Sequence, residues 1–348
     1  MANSSVHEGF QFGEKVKIMA EAKQITVIVV NWNGWPCLFR CLEALRNQSF
    51  QDIAIIVVDN GSKDGSVQAV RQQFPEITLV ALPENLGFAA ANNIAIRMVN
   101  TDYIALLNND AVAHPFWLEN LMSAMAGHPE AGFAASRMLY HDAPSTIDRA
   151  GDGYTTAGVG SLRGRGQPAD AFSRNEWVFG ACAGAAIYRT SMFQDIGLFD
   201  EDFFLLHEDV DISFRAQLRG YSCLYVPNAV VYHLASRTIG YDSPTSVYYG
   251  HRNLEWVYFQ NMPLTLIIRT IGSHLIYGIA AFFFFAAKGV APSYIRAKWD
   301  SLKAWKNVWN KRRRIQSHRR VKDVVIWKLL EPERLFPRLT HRLKRKTE

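Results

Sequence analysis

For its first hundred residues the chain alternates short apolar runs with amphipathic ones. QITVIVVN (24–31), IAIIVVDN (53–60), ITLVAL (77–82) and DYIALLNND (102–110) are almost continuously hydrophobic and too short for helices, so each predicts a buried strand. Between them LFRCLEALRNQ (38–48), SVQAVRQQF (66–74) and NNIAIRMVN (92–100) carry apolar residues at helical spacing. Strands that are hydrophobic on both faces and alternate with helices predict an α/β fold, with a mostly parallel central sheet covered on both sides. Ligands of such sheets bind beyond the carboxyl ends of the strands. The segments there, NWNG, VDNGSKDGS, PENLGFAAANN and NNDA, are all rich in Asn, Asp and Gly.

The second half is less regular. Residues 151–170 (GDGYTTAGVGSLRGRGQPAD) predict a mobile loop, and WVFGACAGAAIYRTSMF a strand entering a helix. FFLLHEDVDISFR (203–215) comes next, with Glu208 and Asp209 at a helix start and Asp211–Arg215 as an exposed i,i+4 pair. YSCLYVPNAVVYHLAS (221–236) predicts two short strands around Pro227. LTLIIRTIGSHLIYGIAAFFFFAA (264–287) is long enough to cross a bilayer, but Arg269 and His274 are costly at mid-depth.

Charge sets the C-terminal segment apart from the body. The chain of 348 residues has a net charge of +6, yet residues 288–348 hold 19 Lys/Arg against 5 Asp/Glu, and the rest 19 against 27. A basic tail interspersed with Trp299, Trp305, Trp309 and Trp327 suits an anionic membrane surface. The expected organisation is a flexible extension at 1–23, a catalytic domain at 24–260, and hydrophobic then basic helices at 261–348 that attach peripherally to the membrane. A nucleic acid is not an expected partner. The N-terminal stretch has no apolar core of a secretory signal, and the four cysteines make no disulfide framework. The cytoplasmic side of the membrane is the expected location.

Two acids at strand ends carry candidate chemistry. Asp59, flanked by Gly61 and Gly65, can accept a hydrogen bond from the imide N–H of uracil or thymine, or close an Asx-turn. Asp110 can bridge Mg²⁺ or Mn²⁺ to a diphosphate, or cap a helix C-terminal to it. GxxxxGK[ST], HExxH and GxSxG are absent from the sequence, and no GxGxxG comes after the first strand.

The ordered series VVNWNG, VDNGSKDGS, ENLGFAAANN, LLNND, FGACAGAAIYR, FDEDFFLLHEDVDISFR and VVYH resembles the family 2 glycosyltransferases of the Rossmann-like GT-A fold. Within that family it is similar to the rhamnosyltransferase-like branch that builds bacterial surface polysaccharides. The resemblance implies that Asp59 reads the base, with Val30, Trp32 and Asn33 lining the nucleotide. Asn85, Gly87 and Asn92 match the segment beside the ribose and phosphates, and Gly180 and Ala181 the donor-sugar pocket. Asp110 matches the last acid of the metal-binding DxD, and His233 a further metal ligand of some relatives. Glu208 and Asp209 match the ED pair, with Asp209 as general base. Asn108 stands where DxD has its first acid, and Ala91 where many members have an Arg, leaving Arg237 and Arg252 as candidate cations for the diphosphate.

The implied reaction is an inverting transfer, with Mg²⁺ or Mn²⁺ as cofactor. The donor is a dTDP- or UDP-sugar, with dTDP-rhamnose foremost, and the acceptor a hydroxyl of a lipid-linked saccharide or glycan precursor. A nucleotidyltransferase that makes a nucleotide sugar and a non-catalytic GT-A-like binding protein are the alternatives.

Overall fold

The computed structural model describes residues 23–234 and 242–332. The first half alternates as the pattern predicts: β1 (Ile25–Asn31), α1 (Trp35–Arg46), β2 (Ile53–Asp59), α2 (Ser66–Gln73), β3 (Thr78–Ala81), α3 (Phe88–Ile96) and β4 (Tyr103–Leu107). Then come β5 (Ala111–Ala113), α4 (Trp117–Gly127), β6 (Ala131–Tyr140), β7 (Ala143–Ala150), β8 (Asp152–Thr155), β9 (Gly160–Leu162), β10 (Glu176–Val178), β11 (Ala185–Arg189) and α5 (Thr190–Ile196). A single 3-10 turn at Glu201–Phe203 precedes α6 (Glu208–Arg219) and β12 (Ser222–His233). The chain continues with α7 (Pro244–Asn261), α8 (Leu264–Ala287), α9 (Ala291–Lys303), α10 (Trp305–Ser317), α11 (Asp323–Leu329) and β13 (Leu330–Glu331).

The main sheet runs β10-β12-β6-β11-β4-β1-β2-β3. It is parallel through β4, β1, β2 and β3, and again between β12 and β6, while β11 lies antiparallel to both its neighbours. Alternation along β1 explains the two layers. Val27 and Val29 pack with Leu38, Leu42, Leu45 and Trp117 on one face, and Ile28 with Ala95, Ile96 and Ile212 on the other.

Three expectations are corrected. The segment around Pro227 is one strand, β12, with a register shift between Val226 and Val230, because Pro227 falls in the bulge where no ladder donor is needed. Residues 151–170 are pinned by β8, β9 and backbone bonds, including Ile147 N to Gln167 O at 2.8 Å. The Asp211–Arg215 pair is buried rather than exposed. Asp211 is 1% accessible and takes Arg215 Nε at 2.7 Å and Asn261 Nδ2 at 2.8 Å. Helix α7 covers that face of α6, which a helical wheel cannot anticipate.

The C-terminal helices are built onto this body. Arg312 of α10 donates to the carbonyls of Phe259 and Met262, satisfying the end of α7. On α8, His274 stacks on Tyr258 at 4.0 Å and contacts Glu255 Oε2 at 3.0 Å, and Arg269 lies over Trp327 at 3.8 Å. The polar groups that make a bilayer span costly are thus engaged by the protein. The opposite face of α8 is bare: Ile268 is 70% and Phe283 65% accessible.

Removing one member of a buried ion pair strands the other, so Asp211→Ala should lower unfolding stability by about 3 kcal/mol. Urea denaturation monitored by circular dichroism measures it.

Candidate active site

Strand register gathers the polar strand ends. Asn31 and Asp59 are partners in the β1–β2 pair, and Asn31 Nδ2 donates to Asp59 Oδ2 at 2.9 Å. Ser62 N donates to Asp59 Oδ1 at 2.9 Å, so the glycine-rich turn wraps this carboxylate. Asp59 is consequently buried, at 1% accessibility, behind the wall of a cleft of about 2030 Å³. Val30, Trp32, Asn85 and Gly87 line that cleft. Asn33 accepts from Lys63 N in the same turn, and Asn92 is buried with its Nδ2 on Phe88 O. Gly87 has φ +88°, and a Cβ there would lie 2.6 Å from the Phe204 carbonyl oxygen, so only glycine fits.

Asn108 and Asp110 leave β4 on the cleft wall. Asp110 caps no helix, since β5 intervenes and α4 starts only at Trp117. Ala111 of β5 pairs with His233 of β12, which puts Asp110 Oδ1 3.2 Å from His233 Nε2. The other ring nitrogen, Nδ1, lies 2.8 Å from Asp148 Oδ2, and Asp148 Oδ1 takes Arg165 Nη2 at 2.6 Å. Burial opposes charge on His233, but its bonds to Asp110 and Asp148 carry it up to about 9. Burial would likewise raise Asp148, but His233 and Arg165 outweigh it and hold that carboxyl well below the usual range.

The opposite wall carries Glu208 and Asp209 at the N-terminus of α6, where the helix dipole favours negative charge. Among the described residues Asp209 Oδ1 accepts only the adjacent Val210 N, at 2.8 Å. Burial, reinforced by the Asp209 charge, pushes the Glu208 carboxyl up to about 8, and burial pushes His207 down to about 4. Asp152, Cys182 and Asp209 bring ligand atoms within 4.8 Å of one another. That cluster suits a divalent ion poorly. Arg149 Nη1 already spans both oxygens of Asp152, at 2.9 and 3.0 Å, and burial pushes the Cys182 thiol far from ionisation.

The structure therefore brings Val30, Trp32, Asn85, Gly87, Asn108, Asp110, His233, Glu208 and Asp209 to one cleft. Asn33, Asp59, Asn92, Gly180 and Ala181 are outside its lining; Gly180 exchanges backbone bonds with Asp152 behind it. Arg252 is not a cleft cation, because it donates to the carbonyls of Asp202 and Phe203. Arg237 lies outside the described residues. Sequence reasoning missed Asp148, Arg149, Asp152 and Arg165, all on the lining or directly behind it. For Asp148, Arg149 and Asp152 the signal was the charged, glycine-flanked STIDRAGDG, which reads as an ordinary loop until β7 pairs with β6 and β8 with β9.

The sequence pattern of glycosyl transferase family 2 matches residues 26–197, and the chain belongs to that family. It is 27% identical to an N-acetylglucosaminyl-diphospho-decaprenol L-rhamnosyltransferase of Mycobacterium tuberculosis, over 67% of this chain and 83% of that protein. It is 26% identical to an O-antigen biosynthesis protein of Myxococcus xanthus, over 56% of this chain and 16% of that one. A mannosyltransferase from Pyrobaculum calidifontis, solved with GDP-Man and Mn²⁺, has the same fold. Its TM-score is 0.54 at 17% identity, over 86% of this chain and 84% of that one. GalNAc-T7, solved with UDP, GalNAc and Mn²⁺, gives 0.55 at 14% identity, over 69% of this chain and 50% of that one. The fold is GT-A and the activity is glycosyl transfer.

The raised Glu208 carboxyl has a consequence for stability. The folded state keeps a proton that the unfolded chain releases above about 4.5, so this stabilisation is complete below that pH and lost as pH rises through about 8. Relative to Glu208→Gln, wild type should lose stability across that window. Urea unfolding of both proteins at pH 5 and pH 8 checks it.

Proposed function

We propose that the chain transfers a sugar, with inversion, from a nucleotide diphosphate sugar to a hydroxyl of a lipid-linked saccharide. Rhamnose from dTDP-rhamnose is the foremost donor, on the likeness to the mycobacterial rhamnosyltransferase. One observation carries the reading: a single cleft is lined by the nucleotide-side residues Val30, Trp32 and Asn85, by Asp110 with His233, and by the free edge of Asp209. Asp209 takes the proton of the acceptor hydroxyl as its oxygen bonds to the anomeric carbon. The carbon–oxygen bond to the diphosphate breaks on the opposite face, and the diphosphate leaves with the electron pair. A positioned base of this kind supplies about 10²–10⁴-fold.

Asp110 and His233 would hold Mg²⁺ or Mn²⁺ only with the imidazole deprotonated, so that Nε2 and the Asp110 carboxylate become ligands in place of the bond between them, with room beside them for phosphate oxygens. The bound ion would neutralise charge developing on the departing diphosphate. Asp148 holds Nδ1 and so turns Nε2 toward Asp110, the arrangement in which an outer carboxylate orients a metal-binding histidine. Arg149, on the lining beside Asp209, is the cation that the missing Arg at position 91 calls for. Asp59, with Asn31 and Ser62 holding its two oxygens behind Val30 and Trp32, fixes the turn that shapes the nucleotide side of the cleft instead of touching the base.

The exposed faces of α8, α9 and α10 support docking on an anionic bilayer from the cytoplasmic side. Ile276, Ile279 and Phe283, then Trp299 and Leu302, then Trp305 and Trp309, are accessible apolar side chains among basic residues.

With dTDP-, UDP- and GDP-sugars, Mn²⁺ and water, slow release of one nucleoside diphosphate identifies the donor. Asp209→Asn should bind that donor normally and lose at least about 10²-fold in transfer. Turnover like wild type in this variant would exclude Asp209 as the base.

The protein should co-sediment with phosphatidylglycerol vesicles at low salt, bind phosphatidylcholine vesicles weakly, and come off in high salt or carbonate. Equal recovery in the supernatant with and without vesicles would exclude membrane attachment.

A further inference from the structure

The base-bearing helix is reached through an unusual turn. Among the described residues five non-glycine positions have positive φ, and three lie in this turn: Phe204 (62°), Leu206 (66°) and His207 (70°). Side chains disfavour that region, so such a turn persists only where its surroundings over-determine it. Helix α6 begins at Glu208, with Asp209 next, so the path of residues 203–207 sets where the Asp209 carboxylate points.

One side chain meets most of the turn. Asn253 of α7 is completely buried, and its Nδ2 donates to Phe203 O at 3.0 Å, Leu205 O at 2.9 Å and Leu206 O at 2.8 Å. Left-handed residues swing successive carbonyls to one side, and here they converge on one amide. The amide is itself anchored, since Oδ1 accepts Arg252 Nε at 2.9 Å, and Arg252 Nη2 donates to Asp202 O at 2.8 Å. From the donor side, Phe88 N donates to Phe204 O at 2.6 Å, directly after Gly87 on the cleft wall. The turn is therefore clamped between the donor-binding segment and α7.

We propose that Asn253 is a positioning residue for the catalytic base: by gathering the carbonyls of Phe203, Leu205 and Leu206 it holds the left-handed turn that aims Asp209 into the cleft. The proposal rests on the reading of Asp209 as base. Without the amide, buried carbonyls lose their donor, and the turn relaxes into commoner backbone conformations. Asp209 then moves by a fraction of a helical turn, while the nucleotide end of the cleft, built on β1, β2 and β4, stays in place.

The test compares Asn253→Ala, Asn253→Ser and Asp209→Asn with wild type. The probe is whichever of the dTDP-, UDP- and GDP-sugars the wild type hydrolyses, with Mn²⁺. Donor affinity and binding stoichiometry come from calorimetry, and transfer kcat from steady-state assays. Asn253→Ala should lower kcat about 100-fold, the scale of a misplaced reacting group, with stoichiometry unchanged and donor affinity within about threefold. Asn253→Ser keeps one hydroxyl donor and should fall between, at about 10-fold, which keeps the test informative if the alanine variant does not fold. Unchanged kcat in the serine and alanine variants overturns the proposal. So does a fall in kcat matched by an equal fall in binding stoichiometry, because that marks partial unfolding. If Asp209→Asn keeps normal turnover, it is the reading of Asp209 that fails.

Discussion

A carboxylate taken out of water has to find its hydrogen bonds within the protein, and the cleft is organised by how its acids meet that demand. Asp59 finds Asn31 and the turn at Ser62. Asp148 finds His233 and Arg165, Asp152 finds Arg149, and Asp211 finds Arg215 and Asn261. Each partner sits on a different element from its acid or on a turn beyond it, except for the Asp211–Arg215 pair within α6. Satisfying these acids therefore locks β1 to β2, β7 to β12, and α6 to α7. Among the described residues the Asp209 carboxylate is bonded only by the neighbouring Val210 N–H, and it lies on the cleft lining.

The same demand explains the C-terminal helices. Glu255, Asp200 and Asp202 are partnered by His274 and Lys298, by Lys311, and by Lys311 with Asn307. Lys298 and Lys311, in a tail whose basic residues read as suited to an anionic surface, are thus engaged by acids of the body. Lys311 grips the segment just before the left-handed turn, while its neighbours Trp305 and Trp309 remain accessible. The helices with accessible apolar side chains and the turn before α6 are therefore mechanically continuous.

The βα alternation of the first half was legible because hydrophobic periodicity and turn composition are local properties. Strands β1 to β4 and their helices emerge close to where the apolar runs put them. The second half was not legible to the same degree. Strand β6 pairs with the distant β11 and β12, and the short β8 and β9 are held largely by backbone bonds, so their residues need no local periodicity. Position along the chain made Asp110, Asp209 and His233 visible as acids and a histidine near strand or helix ends. It could not separate an exposed Asp211 from a buried one, because α7 covers that face from more than thirty residues away.

By itself, the sequence determined the fold class, the side of the sheet on which ligands bind, and the family, since these arise from periodicity and from ordered motifs. Tertiary structure alone decided which acids are neutralised and which stays free. The Asp148–His233–Asp110 chain joins residues 85 and 123 positions apart (233 − 148 and 233 − 110), the Arg149–Asp152 pair residues 3 apart, and the Asn253 clamp residues up to 50 apart. Even the closest of these pairs matters only through what it faces. Burial and charge pairing depend on distances in space, and the chain reveals those distances only once its strands have been brought into register.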